Sequence, residues 1–291
     1  MSNQDKSSSG VSLPQDLSLP LFVYGSLKPG MPAFESISKL VLDSPESAEV
    51  VGTLYLRDGL PLLFLNGSKK NIKGYVLKFD PKASGYEQVC AFEPKTQYQW
   101  TTFETTSGLR VNLLTGKEIQ QGNAVESDFC EWQLKDDPAF GEGLPVVRSV
   151  MNEIIANKQW TLWEKFFRSQ MAYLLLWSIV ERMATLCIGT NVNPNKRVNM
   201  LHSLKGMDAL IEKHVKRRDW VSDSRDPTKT FELNSKNSSD SFKYYYQVRS
   251  NLSHRGKAVP NELEKVEGSL PELLNITEDY LRSLQNQENL S

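Results

Sequence analysis

A chain of 291 residues with 39% hydrophobic and 24% charged side chains has the composition of an ordinary folded protein, long enough for two modest cores. Its net charge of −1 excludes global attraction to nucleic acid or an anionic membrane, so any such binding must come from a local patch. Cys90, Cys130 and Cys187 stand far apart with no C-x-x-C spacing, which argues against a disulfide framework or a zinc site and fits a reducing cytoplasm.

The opening MSNQDKSSSG lacks the basic start and apolar run of a signal peptide, and residues 1–19 are expected to form a flexible tail. From Leu21 to about Trp132 the texture is β. Leu21-Phe-Val-Tyr24 reads as a strand stopped by Gly25, and Val50 to Tyr55 as another, closed by Asp58-Gly59. Asn66-Gly67 is a hairpin-type dipeptide, and Ile72 to Phe79 alternates apolar and polar residues. Short strands with few long helical patterns predict a compact barrel or mixed sheet over 20–135.

The junction Tyr24-Gly25-Ser26-Leu27, before Lys28-Pro-Gly30, puts backbone N–H groups where a turn can cradle a carboxylate or another anion; an ordinary strand-to-turn junction has the same spacing. This block resembles the start of the gamma-glutamylcyclotransferase-like family. Gly52-Thr-Leu-Tyr55 with Asp58-Gly-Leu-Pro61, and Ile72-Lys-Gly74-Tyr-Val-Leu, are similar to the family's next two blocks in order. The resemblance implies a substrate-binding pocket at Tyr24, Gly25, Ser26 and Leu27. It also implies a general base at Glu93, which would take a proton from the amine of a gamma-glutamyl substrate. Pro94 stands where the family usually has Gly, and Trp100 where many members carry Arg. Catalysis, ligand binding without turnover, and a structural role all remain open for Glu93. A carboxyl beside Phe92 in an apolar pocket would have the raised pKa a base requires.

Residues 136–144 have the Pro, Gly and acidic residues of a linker, and beyond them the texture is helical. Trp160, Trp163, Phe166, Phe167, Met171, Leu174, Leu175 and Val180 recur at helical spacing up to a stop at Gly189. The longest apolar stretch, Met171 to Val180, ends at Glu181-Arg182 and is too short to span a bilayer. Further helices are expected over about Lys196–Asp219, Asp240–Arg255 and Pro260–Gln285, with a loop from Ser222 to Ser239. Four or five helices in one bundle is the simplest packing for 145–287. Lys196 to Arg218 is locally basic, and Lys213, Lys216, Arg217 and Arg218 are its candidate RNA contacts, against the alternative of a solvated helix face.

Tyr246-Gln-Val-Arg249-Ser-Asn251-Leu-Ser-His254-Arg-Gly256 joins an always-charged guanidinium to one of only three histidines in the chain. Positions five apart on a helix differ by about 140° in direction, so Arg249 and His254 converge only at the edge of a cleft, or across two copies of the chain. The alternative is that Arg249 pairs with acidic neighbours and His254 merely ends a helix. Arg-x-x-x-x-His on a late helix resembles the HEPN superfamily, in particular its Apea-like branch, with Leu176 to Glu181 as the matching earlier helix. That resemblance implies a dimerising bundle and metal-independent RNA cleavage, often in defence or toxin settings. Arg249 and His254 would be the catalytic pair, and Asn251, displaced by one position, their assistant. Glu181 is either a surface charge or a buried partner of Arg249, with the partner role favoured.

The expected architecture is thus α+β and two-domain: a small gamma-glutamylcyclotransferase-like mixed β-barrel followed by an all-α HEPN bundle. The favoured expectation is a cytoplasmic, homodimeric ribonuclease, with tRNA one candidate substrate and a ligand-sensing or regulatory N-terminal domain. A gamma-glutamyl cyclotransferase and a non-catalytic binding protein are the alternatives. No metal, cofactor or membrane is expected.

Overall fold

The computed structural model describes residues 11–66, 70–82, 84–93, 96–117, 125–189, 192–255 and 260–288; the side chains of 194, 195, 254, 255, 260, 261 and 286–288 lie outside that description. The chain forms two compact units. One is built chiefly by the residues up to Asp137, the other by Pro138–Thr185 and Pro194–Leu284.

The first unit is a curled mixed sheet of seven strands: β1 (Leu21–Val23), β2 (Glu46–Arg57), β3 (Leu60–Phe64), β4 (Lys70–Leu77), β5 (Tyr98–Glu104), β6 (Arg110–Gly116) and β7 (Val125–Glu126). The order is β3-β2-β4-β1-β6-β5, with β7 also on β2. β1 runs parallel to β6, and every other pair is antiparallel. The long β2 organises the sheet, pairing Thr53–Arg57 with β3 and Glu46–Gly52 with β4. β3 and β4 therefore lie end to end along β2 rather than forming a hairpin with each other. Gly67 of the expected hairpin lies outside the described residues. The tight hairpin is instead at Asp58-Gly59, where both residues have positive φ (50° and 79°) between the paired Arg57 and Leu60. That geometry matches the natural twist of two antiparallel strands.

Alternation along the strands gives the sheet two apolar faces. Phe22, Val50, Leu54, Leu63, Ile72, Val76, Val111 and Leu113 pack on one. Leu21, Val23, Leu62, Phe64, Leu77 and Leu114 pack on the other with α1 (Gly85–Phe92), which buries Tyr86, Val89 and Phe92 there. β4 can lie against β1 because Gly74 has no side chain: a Cβ there would sit 2.3 Å from the Val23 carbonyl oxygen.

The expected tail is bound from Val11 onward. The Val11 N–H donates to the Glu93 carbonyl (3.1 Å), Tyr86 Oη to the Leu19 carbonyl (2.6 Å), and Asn112 Nδ2 to the Asp16 carbonyl (2.6 Å). These part-buried bonds satisfy two carbonyls of a polar segment, with Tyr86 and Asn112 as the donors. The expected linker is also ordered. Leu134–Asp136 is a short 3₁₀ turn, and Ala139–Gly143 is a wide helical turn running straight into α2.

The second unit is mostly helical: α2 (Leu144–Ala156), α3 (Leu162–Ile188), α4 (Pro194–Met200), α5 (Met207–His214), α6 (Ser238–Arg255) and α7 (Pro260–Glu288). α3 opens on a reciprocal cap. The Glu164 N–H donates to Thr161 Oγ1 (3.2 Å) and the Thr161 N–H to Glu164 Oε2 (2.8 Å). It ends at Gly189, whose φ of 94° suits a glycine stop. By length and composition α3 could cross a bilayer, unlike the shorter stretch within it, but 56% of its apolar window is buried inside the protein as a core helix would be.

Two expectations fail here. The segment 196–219 is not one helix: α4 gives way to a 3₁₀ turn at Leu201–Ser203, and α5 begins after Gly206 at φ 83°. Ser222 to Ser239 is not all loop, because β8 (Asp219–Ser222) and β9 (Thr230–Leu233) form an antiparallel ribbon.

Candidate functional site

In the first unit, β1 ends by feeding Tyr24 into the turn Gly25–Lys28, closed by the Lys28 N–H on the Gly25 carbonyl (3.0 Å). The N–H groups of Gly25, Ser26 and Leu27 donate to no acceptor among the described residues. Ser26 is partly exposed, so this edge of the turn can receive an anion. A Cβ on Gly25 would meet the Pro61 ring at 3.0 Å, and Tyr98 Oη donates to the Pro61 carbonyl at 3.4 Å. Pro61 thus brings the start of β5 beside the turn.

Glu93 follows the last turn of α1, with its N–H on the Val89 carbonyl. Its side chain is partly buried, and among the described residues no charged or hydrogen-bonded neighbour offsets that burial. Burial pushes its pKa up to about 7. The negative end of α1 acts in the same direction. Glu93 is close enough that its charge helps hold the Tyr24 phenol in the neutral form, although burial of that phenol is the larger cause.

Two of the expected pocket residues also make internal contacts. Tyr24 Oη donates to the Leu114 carbonyl (2.7 Å) and accepts the Leu63 N–H (3.2 Å), which ties β6 to β3. The Leu27 side chain lies in the core, leaving its backbone N–H to the turn. Trp100 faces the N-terminal segment, with Nε1 on the Ser12 carbonyl (2.5 Å). Pro94 lies outside the described residues.

The residue whose role the sequence did not reveal is Lys28. Its side chain is fully buried, and Nζ donates to the Trp132 carbonyl (2.8 Å) and to Glu131 Oε1 (3.1 Å). Trp132 in turn donates Nε1–H to the Gly59 carbonyl at 3.0 Å. A lysine directly after the turn, followed by Pro-Gly, was the available signal.

In the helical unit, Arg249 on α6 reaches Glu181 on α3, Nη2 to Oε1 at 3.8 Å, while the Trp177 indole donates to the same oxygen at 2.8 Å. His254 is in the last turn of α6, and its side chain lies outside the described residues. Asn251 is buried and committed elsewhere. Its Oδ1 accepts from the Ser224 N–H (3.1 Å) and Gln247 Nε2 (2.8 Å), and its Nδ2 donates to the Ser222 carbonyl (3.0 Å). Two positions on a helix differ by about 200°, so Asn251 points away from the Arg249 face and anchors the β8–β9 ribbon.

The basic stretch is largely neutralised. Lys213 and His214 share Asp279 (2.6 and 2.8 Å), and Lys216 bonds the Glu212 carbonyl (2.9 Å). Arg217 grips Glu272 with two bonds (2.9 and 3.1 Å) and also pairs with Asp219. Arg218 pairs with Glu232 over the Trp220 ring. Arg217 is thus engaged by two carboxylates within the unit.

Residues 21–124 match the family model described as gamma-glutamyl cyclotransferase, AIG2-like. No curated protein matches the chain. Among solved structures, Kluyveromyces lactis allophanate hydrolase resembles it at 20% identity and TM-score 0.32, over 38% of this chain and 19% of that one. The K. lactis urea amidolyase does so at 18% and 0.35, over 47% of this chain and 9% of that one. The chain therefore spans under a fifth of each of these larger proteins.

Proposed function

We propose that the N-terminal unit acts on a gamma-glutamyl amine or peptide, releasing the amine as the glutamyl group closes to 5-oxoproline. Supporting this is the partly buried Glu93 carboxyl, pushed up to about 7 and within electrostatic reach of Tyr24, the residue that leads into a turn whose N–H groups meet no acceptor among the described residues. The substrate carboxylate would rest on the Gly25–Leu27 N–H groups. Ionised Glu93 takes a proton from the substrate α-amino group as its nitrogen attacks the gamma carbonyl carbon. The resulting carboxylic acid then returns that proton to the leaving amine as the C–N bond breaks. The test is 5-oxoproline release from gamma-glutamyl substrates, followed by mass spectrometry. Glu93→Gln should lower the rate by about 10²-fold or more. Binding without turnover in the wild type would make the unit a sensor.

A second reading assigns metal-independent RNA cleavage to the helical unit, and the Glu181–Arg249–Trp177 cluster supports it. Arg249 would stabilise charge on the phosphate, and His254 would transfer the proton. The assay is cleavage of tRNA in EDTA to products with cyclic phosphate ends. Such cleavage should be lost in Arg249→Ala/His254→Ala, and its absence in the wild type would remove this reading.

A further inference from the structure

We propose that Lys28 and Trp132 are positioning residues for substrate binding, holding the Gly25–Leu27 turn in the shape that receives a carboxylate. The inference rests on the cyclotransferase reading of that turn and adds the residues that keep its donors aimed. The aim follows from peptide geometry. In a planar trans peptide the C=O and the N–H of one unit point in opposite directions. The Gly25 carbonyl accepts the Lys28 N–H (3.0 Å), and the Ser26 carbonyl accepts the Ala33 N–H (3.1 Å). The Ser26 and Leu27 N–H groups belong to the same two peptide units and therefore face away from those bonds. Two successive donors are left for an anion.

What fixes those carbonyls is a closed circuit of contacts. Lys28 is fully buried, and an ammonium in such a place is costly unless it is paired. Its Nζ donates to the Trp132 carbonyl (2.8 Å) and pairs with Glu131 (3.1 Å), so the far end of the turn is pinned from behind. Trp132, itself fully buried, donates Nε1–H to the Gly59 carbonyl (3.0 Å). Gly59 sits in the tight hairpin that leads to Pro61, and a Cβ on Gly25 would meet the Pro61 ring at 3.0 Å. The circuit Lys28–Trp132–Gly59–Pro61–Gly25 thus returns to the near end of the turn, and the Pro61 ring stiffens it by fixing its own φ. Opening the circuit at Lys28 or at Trp132 frees one end of the turn. A donor displaced by about 1 Å leaves hydrogen-bond range of its acceptor. Glu93 is set instead by the end of α1, so a loosened turn spares the base.

The experiment is calorimetric titration of the full chain with 5-oxoproline and with 5-oxoprolinamide, in which a neutral amide replaces the carboxylate. The wild type should bind the acid about tenfold more tightly than the amide, as charge-assisted hydrogen bonds require. Lys28→Met keeps the unbranched buried stem, removes the ammonium, and should abolish that preference. Trp132→Phe keeps the backbone carbonyl that Lys28 uses and removes only the Nε1–H bond to Gly59; it should cut the preference about threefold. Lys78→Met, at an exposed ion pair of the same unit, should leave it unchanged. With a gamma-glutamyl substrate, KM should rise in the first two variants while kcat and the Glu93-dependent pH inflection hold, because binding and not the chemical step is lost. A wild type that binds neither ligand, or both equally, removes the carboxylate reading of the turn and this inference with it. A wild type that prefers the acid, with variants that keep the same preference, overturns the inference and leaves the reading of the turn standing. Where Lys28→Met does not fold, Trp132→Phe decides between these outcomes.

Discussion

Val11 donates its backbone N–H to the carbonyl of Glu93 at 3.1 Å, so the N-terminal segment is fastened to the residue proposed as the base. Val11→Pro removes that donor. A net hydrogen bond contributes about 1 kcal/mol, so the melting temperature should fall by only a few degrees. The rate of 5-oxoproline release should fall several-fold more than that small loss of stability accounts for, because the backbone of Glu93 is freed. A kinetic and thermal comparison with the wild type checks this.

The Glu93 pKa of about 7 makes a signed prediction. Only the carboxylate is a base, so kcat/KM should rise as pH increases through about 7, and Glu93→Gln should remove that inflection. The stability effect runs the other way. A carboxyl whose folded pKa lies above its unfolded value holds its proton in the folded state, so its contribution is fully present below the ordinary value near 4.5 and is lost as pH rises through 7. Denaturant midpoints should therefore show Glu93→Gln gaining on the wild type as pH increases.

Arg217 should behave as a framework residue. Glu272 is held by two of its bonds, and Tyr245 donates to the same carboxylate (3.1 Å). Removing one member of a mostly buried pair strands the other, at a cost of about 3 kcal/mol. Urea denaturation of Arg217→Ala should show that loss, whereas Arg218→Ala, at a solvent-exposed pair, should lose less than about 1 kcal/mol.

Trp163, Phe167, Met171 and Leu175 stand four apart along α3 and are all exposed. This stripe is the surface on which the expected self-association would rest. Light scattering of the wild type should give twice the 33.0 kDa chain mass, and Phe167→Glu/Met171→Glu should return the mass to that of one chain.

Local signals were readable wherever the determinant was local. Gly25 ends a strand, Asp58-Gly59 closes a hairpin, and the α3 pattern ends at Gly189, all within a few residues of their cause. Helix α1 escaped notice because eight residues give barely two turns, too few for a period to emerge from the surrounding strands. The basic stretch misled for a different reason. Its charges are visible in sequence, but Asp279 and Glu272, which neutralise them, lie 66 and 55 residues away. Lys28 and Trp132 meet only because the chain returns to the turn 104 residues later, and no spacing rule encodes that return. The turn and Glu93 were found together through motif resemblance, whereas the internal use of Tyr24 Oη depends on strand order.

Lys28 sets a boundary for anyone wishing to isolate the first unit. The family match ends at residue 124, yet both partners of the buried ammonium, Glu131 and the Trp132 carbonyl, come later in the chain. A fragment cut at 124 would remove both partners and leave the buried Lys28 side chain without them, a costly arrangement for an ionic group. The same dependence reaches across the unit: the residue that closes the first turn of the sheet is satisfied by the last few residues of that unit, so the unit's C-terminal boundary lies at Trp132 or beyond.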